Sequence, residues 1–452
     1  MAEFLTGFSN ILWGAPVLIL LGIVGLLYGI RTKFFQIRKM GYILKNTAGE
    51  MFKKGGGASG NKGTLTPLQA VCSALAGCVG TANIAGVATA MVIGGPGAVF
   101  WMWVIALVGG ASAFVESTLA QIYKKRYSDG SGSYGGPAYY ISKGLGSHKL
   151  AVFFSVSIII ALGCIGNMVQ SNSIADAFKT AFDVPPLVMG LIIAACGAFV
   201  FFGGIGRIAA VTEKMVPLMA LLYVIGGLFV VLSNADQIIP AFKMIFVGAF
   251  DPSAATGGII GAGVKEAIRY GVARGLFSNE AGMGSTPHAH AVAKVQYPAQ
   301  QGLMGIVSVF IDTFVVLNMT ALVIFVTGAL DGTTTGIALT QKAFSTGLGA
   351  FGIKFVAICL LFFAFSTIVG WYFFGEQNVK YLFGTRGVTP YRVVVMCFIV
   401  MGSLLQVNLV WELADMFNGL MAFPNLIALI GLAKVVSNAL DEFEQANLAD
   451  NK

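Results

Sequence analysis

Charge is scarce in this chain. Asp, Glu, Lys and Arg together make up 11% of its 452 residues, where a soluble domain carries about 25%. With 56% hydrophobic residues and a mean hydropathy of +0.81, that shortage excludes a soluble globular fold. What remains is an all-α polytopic membrane protein. Cysteine is scarce too: the six, at positions 72, 78, 164, 196, 359 and 397, sit in apolar stretches without CxxC spacing. They read as packing residues, with no disulfide or metal framework. Of three histidines, His288 and His290 are two apart, a spacing that turns them to different helix faces. No metal site is expected there. The chain has no Gly-x-x-x-x-Gly-Lys-[Ser/Thr] to cradle ATP phosphates. It also has no convincing nucleophile–base pair for an enzyme and no continuous polar path for a channel.

Acidic residues number 20 against 28 basic ones, and the excess has an order. Apolar runs near 12–30, 67–93, 97–122, 150–173, 186–203, 213–233, 262–289, 302–329, 350–382, 391–409 and 413–436 are each long enough, or nearly so, for the ~20 residues a spanning helix needs. The first charge is Glu3, unlike the basic start of a signal peptide, so the first run reads as a spanning helix. An outside N-terminus puts Arg31, Lys33, Arg38, Lys39, Lys45, Lys53, Lys54 and Lys62 in the first inside loop. It puts Lys124, Lys125, Arg126, Lys143 and Lys149 in the second. The later inside loops hold Arg207, Lys214, Lys294, Lys380, Arg386 and Arg392, while the outside loops hold only Lys179, Lys243 and Lys342, with Lys265, Arg269 and Lys354 near outer ends. That asymmetry is positive-inside topology in a cell membrane, with a cytoplasmic C-terminus, rather than a nucleic-acid surface.

Two spans are interrupted alike. Asn83-Ile84-Ala85-Gly86 follows Gly77-Cys78-Val79-Gly80-Thr81, and 196 residues later Asn279-Glu280-Ala281-Gly282 follows Arg274-Gly275-Leu276-Phe277-Ser278. A helix in lipid must satisfy its own backbone, so such a break is tolerated only against protein or a cavity. Two breaks at corresponding places in two halves point to a transporter binding site. The expected fold has 11 transmembrane helices: one extra N-terminal helix plus a 5+5 inverted repeat with two broken helices. Its divisions are 1–62 (first helix and basic loop), 63–233 (first repeat), 234–261 (extracellular loop), 262–436 (second repeat) and 437–452 (tail). The competing account is that small residues coincide by chance and serve only close helix packing.

Asn279-Glu280-Ala281-Gly282-Met283-Gly284-Ser285, with Gly275-Leu276-Phe277-Ser278 before it, resembles the alanine/glycine:cation symporter family. So do Gly80-Thr81-Ala82-Asn83-Ile84-Ala85-Gly86, Gly166-Asn167-Met168-Val169-Gln170 and Gly370-Trp371-Tyr372-Phe373-Phe374-Gly375-Glu376. The resemblance covers essentially the whole chain. It implies a fold similar to the leucine transporter, in which two broken helices flank a mid-membrane amino-acid and sodium site. The implied activity is symport of a small neutral amino acid, alanine or glycine, with Na⁺ or alternatively H⁺. No other cofactor is implied, and the other partner is the bilayer. The rival class is a non-transporting amino-acid receptor on the same fold.

On that resemblance, the amides of Thr81 and Ala82 with the Thr81 hydroxyl hold the substrate carboxylate, as free N–H groups at a half-helix start can. Ala273, Gly275 and Phe277, around the second break, contact its ammonium and side chain. Gln170, about 20 residues into the fourth span, touches substrate or else ties helices together. Trp371 forms a pocket wall or simply packs. Ser366 and Thr367 with the carbonyls of Ala76, Val79 and Phe363 make a hard-oxygen sodium shell, although Ser and Thr in helices commonly bond their own preceding carbonyls. Asn83 and Asp312 are candidates for a second cation. Glu116 and Glu280 either brace unwound backbone or carry a proton. Trp101 and Trp103 read as interface-belt residues.

Overall fold

The computed structural model describes residues 15–52, 65–126, 132–251 and 263–450, with positions 7 and 12. Lys53, Lys54 and Lys62 of the first expected inside loop lie outside them. Helices dominate. α1 (Ala15–Arg31) precedes α2 (Met40–Phe52). Then come α3 (Pro67–Cys78) and α4 (Val87–Gly94), joined through a π-helical turn at Ala82–Gly86. α3 has a complete start: Pro67 at its first position and a reciprocal pair in which Thr66 Oγ1 takes the Gln69 amide at 3.2 Å and Gln69 Oε1 takes the Thr66 amide at 3.1 Å. Such caps typically stabilise a helix end by about 1 kcal/mol.

α5 (Ala98–Ile122) leads to a hairpin of β1 (Lys125–Arg126) and β2 (Ser133–Tyr134), paired antiparallel with Lys125 opposite Tyr134. α6 (Pro137–Gly144), α7 (His148–Ile158), a π stretch at Ile159–Gly166 and α8 (Asn167–Phe182) follow. α9 (Pro186–Phe201), α10 (Gly204–Ser233) and α11 (Ile238–Gly248) come next. Beyond them are α12 (Val264–Asn279), α13 (Pro287–Val292) and α14 (Pro298–Phe310). A π stretch at Ile311–Leu317 then runs into α15 (Asn318–Val326). The chain closes with α16 (Gly336–Leu348), α17 (Phe351–Phe383), α18 (Val388–Leu404), α19 (Val407–Gly431) and α20 (Ala433–Asp450).

Among the described residues, seven helices are long and apolar enough to cross a membrane. The pair α3 and Ala82–Gly94, bent by 48°, makes an eighth if it counts as one span. Ile19–Arg31 and Pro186–Phe201 are apolar but shorter. The protein is therefore an all-α, multi-pass membrane protein. α12 falls outside that set, having 16 residues and carrying Lys265, Glu266, Arg269 and Arg274, charges that lipid would not accept without partners.

Several boundaries differ from the sequence expectation. α10 begins at Gly204, so Arg207 and Lys214, read as loop charges, lie in its first turns. The stretch read as an extracellular loop contains α11, and the stretch read as a tail belongs to α20 as far as Asp450. Cys196 and Cys397 are exposed on the helix surface rather than packed inside. Trp101 and Trp103 are half-buried against neighbours: Trp101 donates to the Ala249 carbonyl at 3.2 Å, and Trp103 meets Phe246 edge-on.

Candidate functional site

The first break forms because side chains take the amides that would continue the helix. α3 stops at Cys78, and Val79 turns extended at φ −78°, ψ 90°. The Gly80 and Thr81 amides, which a continuing helix would aim at Ala76 and Gly77, donate to Asn83 Oδ1 at 2.9 Å and Gln170 Oε1 at 3.2 Å. The Thr81 hydroxyl also donates to Gln170 Oε1, at 2.6 Å. Gly80 is required by close approach: a Cβ there would lie 2.3 Å from Thr367 Oγ1 and 3.3 Å from Gln170 Oε1. One turn of π-helix, which inserts an extra residue and often marks functional sites, then carries Ala82 and Asn83.

On one side of this break stand hard oxygens. Thr367 Oγ1 lies 3.3 Å from the Val79 carbonyl and 3.1 Å from that of Phe363, and Ser366 Oγ lies 2.8 Å from the Phe363 carbonyl. Both hydroxyls thus back-bond their own helix, while Thr367 alone also reaches across to α3. The Ala76 backbone passes the same helix one turn along from Thr367, where its carbonyl carbon would lie 3.2 Å from a Cβ on Gly370. Ser366 and Thr367 are fully buried.

On the other side, Asn83 and Asp312 meet directly. Asn83 Nδ2 donates to Asp312 Oδ1 at 2.7 Å and to its carbonyl at 3.2 Å. Ser278 Oγ donates to the same carboxylate at 2.8 and 3.1 Å, and Thr313 Oγ1 at 3.1 Å. Asp312 opens the π stretch of its helix. Three side chains from three helices therefore surround one buried acid, which is how an acid is held inside a membrane.

The second break lies later than the sequence suggested. α12 continues unbroken to Asn279, so Ala273, Gly275 and Phe277 are helical; Phe277 lies in the last turn, where the Ala281 amide donates to Asn279 Oδ1 at 3.1 Å rather than to the Phe277 carbonyl. Gly275 turns toward α5, where a Cβ would lie 2.8 Å from Ile105 and 3.3 Å from the Met102 backbone. It is a helix-packing glycine. Ala273 is half-buried. Phe277 does face inward, its ring 6.0 Å and edge-on from Trp371 and 5.3 Å from Trp411. Unwinding starts at Glu280 in the left-handed region (φ 55°), and Gly282 and Gly284 follow at φ 84°.

Two acids hold this unwound segment. Glu116 accepts the Gly282 amide at 3.0 Å, the Gly284 amide at 2.9 Å and Asn425 Nδ2. Asn425 also bonds the Gly282 carbonyl at 3.0 Å and accepts from Tyr140. Glu280 accepts from Ser285 Oγ and from Trp371 Nε1. Its carboxylate lies 3.4 Å from where a Gly77 Cβ would stand, and Cys78 Sγ points to the Asn279 carbonyl at 3.5 Å. The two breaks therefore face each other, with Trp371 between Phe277, Glu280 and Gly166. His288 and His290 have structural partners, Ser285 and Asn378 for the first and Gln301 for the second.

Sequence reasoning missed Ser278, Thr313, Asn425 and the pair Arg274–Asp415. The last is bidentate at 2.7 and 2.9 Å, with the guanidinium 5.0 Å over Trp411. A buried-side Arg in a spanning segment was a signal that a carboxylate partner was needed, but sequence alone does not choose among the acids.

The comparisons agree on one family. The model of the sodium:alanine symporter family matches residues 1–452. An uncharacterised transporter of Haemophilus influenzae is 44% identical over 446 residues, 98% of this chain and 96% of its own. The probable sodium/glutamine symporter GlnT of Bacillus subtilis is 41% identical over 99% and 92%. The sodium/alanine symporter AgcS of Methanococcus maripaludis is 42% identical over 97% and 96%.

Proposed function

The chain belongs to the sodium:alanine symporter family, and from that premise we propose that it imports a small neutral amino acid, alanine or glycine, together with Na⁺ by alternating access. The observation that carries this reading is the adjacency of two unlike sets at one break. Carbonyls and hydroxyls of Val79, Phe363, Ser366 and Thr367 gather before it, and the Thr81 donors lie just after it. The first set suits a hard cation, which prefers oxygen ligands. The second suits a carboxylate at a half-helix start. One backbone segment thereby serves both solutes, which is a physical basis for coupling them.

In this reading Thr81, Ala82 and Gln170 receive the substrate carboxylate end, and Phe277 and Trp371 wall the side-chain end. Ala76, Val79, Phe363, Ser366 and Thr367 hold Na⁺. Asn83 and Asp312 form a second cation position. The architecture is 11 spans, an extra first helix and a five-plus-five inverted repeat, with the N-terminus outside and the C-terminus in the cytoplasm. The loop charges support that orientation. Proton coupling through Glu116, Glu280 or Asp312 is the second reading, favoured by the burial of all three and by one relative's name, a putative sodium/proton-dependent alanine carrier of Bacillus subtilis.

Labelled alanine uptake into proteoliposomes tests the proposal. Uptake should follow an inward Na⁺ gradient and should show counterflow without one. Binding without counterflow means a receptor; uptake that follows only a proton gradient means the second reading.

A further inference from the structure

The inner end of the second broken helix is bound on every side. A helix leaves its last four carbonyls without helical partners, and for a helix as short as α13 those four decide whether it holds together. Here each is met from another element. Gln121 Nε2 donates to the His290 carbonyl and, at 3.0 Å, to that of Ala293. Ser133 Oγ donates to Ala291 at 3.2 Å. The Leu65 amide donates to Val292 at 3.3 Å. Lys124 Nζ donates to Ala293 at 2.9 Å and to Gln121 Oε1 at 2.5 Å.

The Leu65 contact is reciprocal. The Lys294 amide returns to the Leu65 carbonyl at 3.2 Å, making a parallel bridge between Leu65 and Ala293. Leu65 immediately precedes the capped start of α3, so the inner ends of both broken helices are joined by backbone. The β1–β2 hairpin seals the arrangement. A Cβ on Gly135 would lie 2.9 Å from Ala291 and 3.3 Å from Lys124, and Gly136, at φ 137°, lies against the His288 ring. Lys124 also sets a positive charge at the negative end of the helix dipole. Burial, then Arg126, pushes its ammonium down to about 8.

We infer that Leu65, Gln121, Lys124 and Ser133 form a brace that makes the inner ends of α3 and α13 move with α5 as one body, Gln121 and Lys124 being its positioning residues. The inference rests on the carrier reading above and adds how its inner side opens. The inner half of the first broken helix does not swing out alone. It moves together with the inner half of the second.

Two measurements in proteoliposomes test this, after wild-type alanine uptake has been established. Paired backbones lie about 4.8 Å apart, within reach of a disulfide, so Leu65→Cys with Ala293→Cys is to be cross-linked by a short bifunctional thiosulfonate, with wild type treated alike. The cross-linked carrier should keep uptake within about two-fold of its reduced form. Uptake that stops on cross-linking and returns on reduction would overturn the inference. Lys124→Met should lower the maximal rate several-fold with KM for alanine unchanged, and Lys124→Arg should restore it. A raised KM, or no effect of Lys124→Met, would also overturn it. Absent wild-type uptake refutes the carrier reading instead, so the two failures are distinct.

Discussion

Gln170 Oε1 takes both donors of Thr81, the amide at 3.2 Å and the hydroxyl at 2.6 Å. An amide oxygen thus stands on the donors assigned to the substrate carboxylate, and both kinds of oxygen are two-lone-pair acceptors. Substrate must share or displace it.

Because the proposed site also sets Gln170 against the carboxylate end of the substrate, Gln170→Ala should weaken alanine binding while leaving the fold intact. Losing a buried polar contact costs roughly 1–3 kcal/mol, or about 5- to 150-fold in affinity. Gln170→Glu should be worse, because a fixed anion would compete for the same donors. Calorimetric titration with alanine reads both; unaltered affinity in Gln170→Ala would leave this residue only as a tie between α8 and the break.

Glu116→Gln separates a brace from a proton carrier. Glutamine has one acceptor oxygen where Glu116 uses two, and its NH₂ would face the amides of Gly282 or Gly284. An unsatisfied buried group costs about 1–3 kcal/mol, so the melting temperature in detergent should fall. Unchanged stability with lost cation dependence would make Glu116 a coupling group.

Some of this was legible in the sequence and some was not. The first break was, because Gly-rich interruption and hydroxyl spacing in an otherwise uncharged stretch admit few readings. The hydroxyl pair at 366–367 was reached only through a family resemblance, since back-bonding is the commoner fate of such residues. The second break was legible in part: Glu280 falls within it, but the stretch around Gly275, taken as the interruption, is helical. Glycine marks both packing and unwinding, and Gly275 does the first while Gly282 and Gly284 do the second. The π stretches that carry Asn83 and Asp312 have no pattern distinct from an α-helix. Which acid meets Arg274 depends on tertiary contact alone.

The Arg274–Asp415 pair should show energetic coupling. Its side chains are 9% and 24% exposed, and the two bonds fit a planar guanidinium that lysine cannot imitate. A double-mutant cycle with Arg274→Met and Asp415→Leu should give roughly 0.5–3 kcal/mol. Additive effects within experimental error would mean that the two helices are held elsewhere.

Topology is testable at exposed positions. Lys143 and Thr333 are both exposed, and the proposed orientation puts them on opposite sides. Single cysteines there should react with an impermeant maleimide from inside and outside respectively. Reaction of both from one side would rule out the inverted repeat.

Coupling is the sharpest test of the cation assignment. Alanine is neutral overall at pH 7, so its accumulation needs another gradient. One co-moving elementary charge contributes roughly 2.3 kcal/mol per 100 mV, about a 50-fold accumulation. Thr367 is the hydroxyl that touches both helices of the proposed Na⁺ shell, at Val79 and Phe363. Thr367→Ala removes one oxygen from a small set, and Thr367→Ser keeps it. The alanine variant should raise the Na⁺ concentration for half-maximal uptake by about 5- to 150-fold, from a lost contact of roughly 1–3 kcal/mol. The serine variant should stay near wild type, and substrate preference should change little in either. The opposite pattern is expected at Gln170. Should Thr367→Ala leave Na⁺ dependence untouched, the cation binds elsewhere. The acids Glu116, Glu280 and Asp312 then become the coupling groups, Asp312 first, because Asn83 ties it directly to the broken helix.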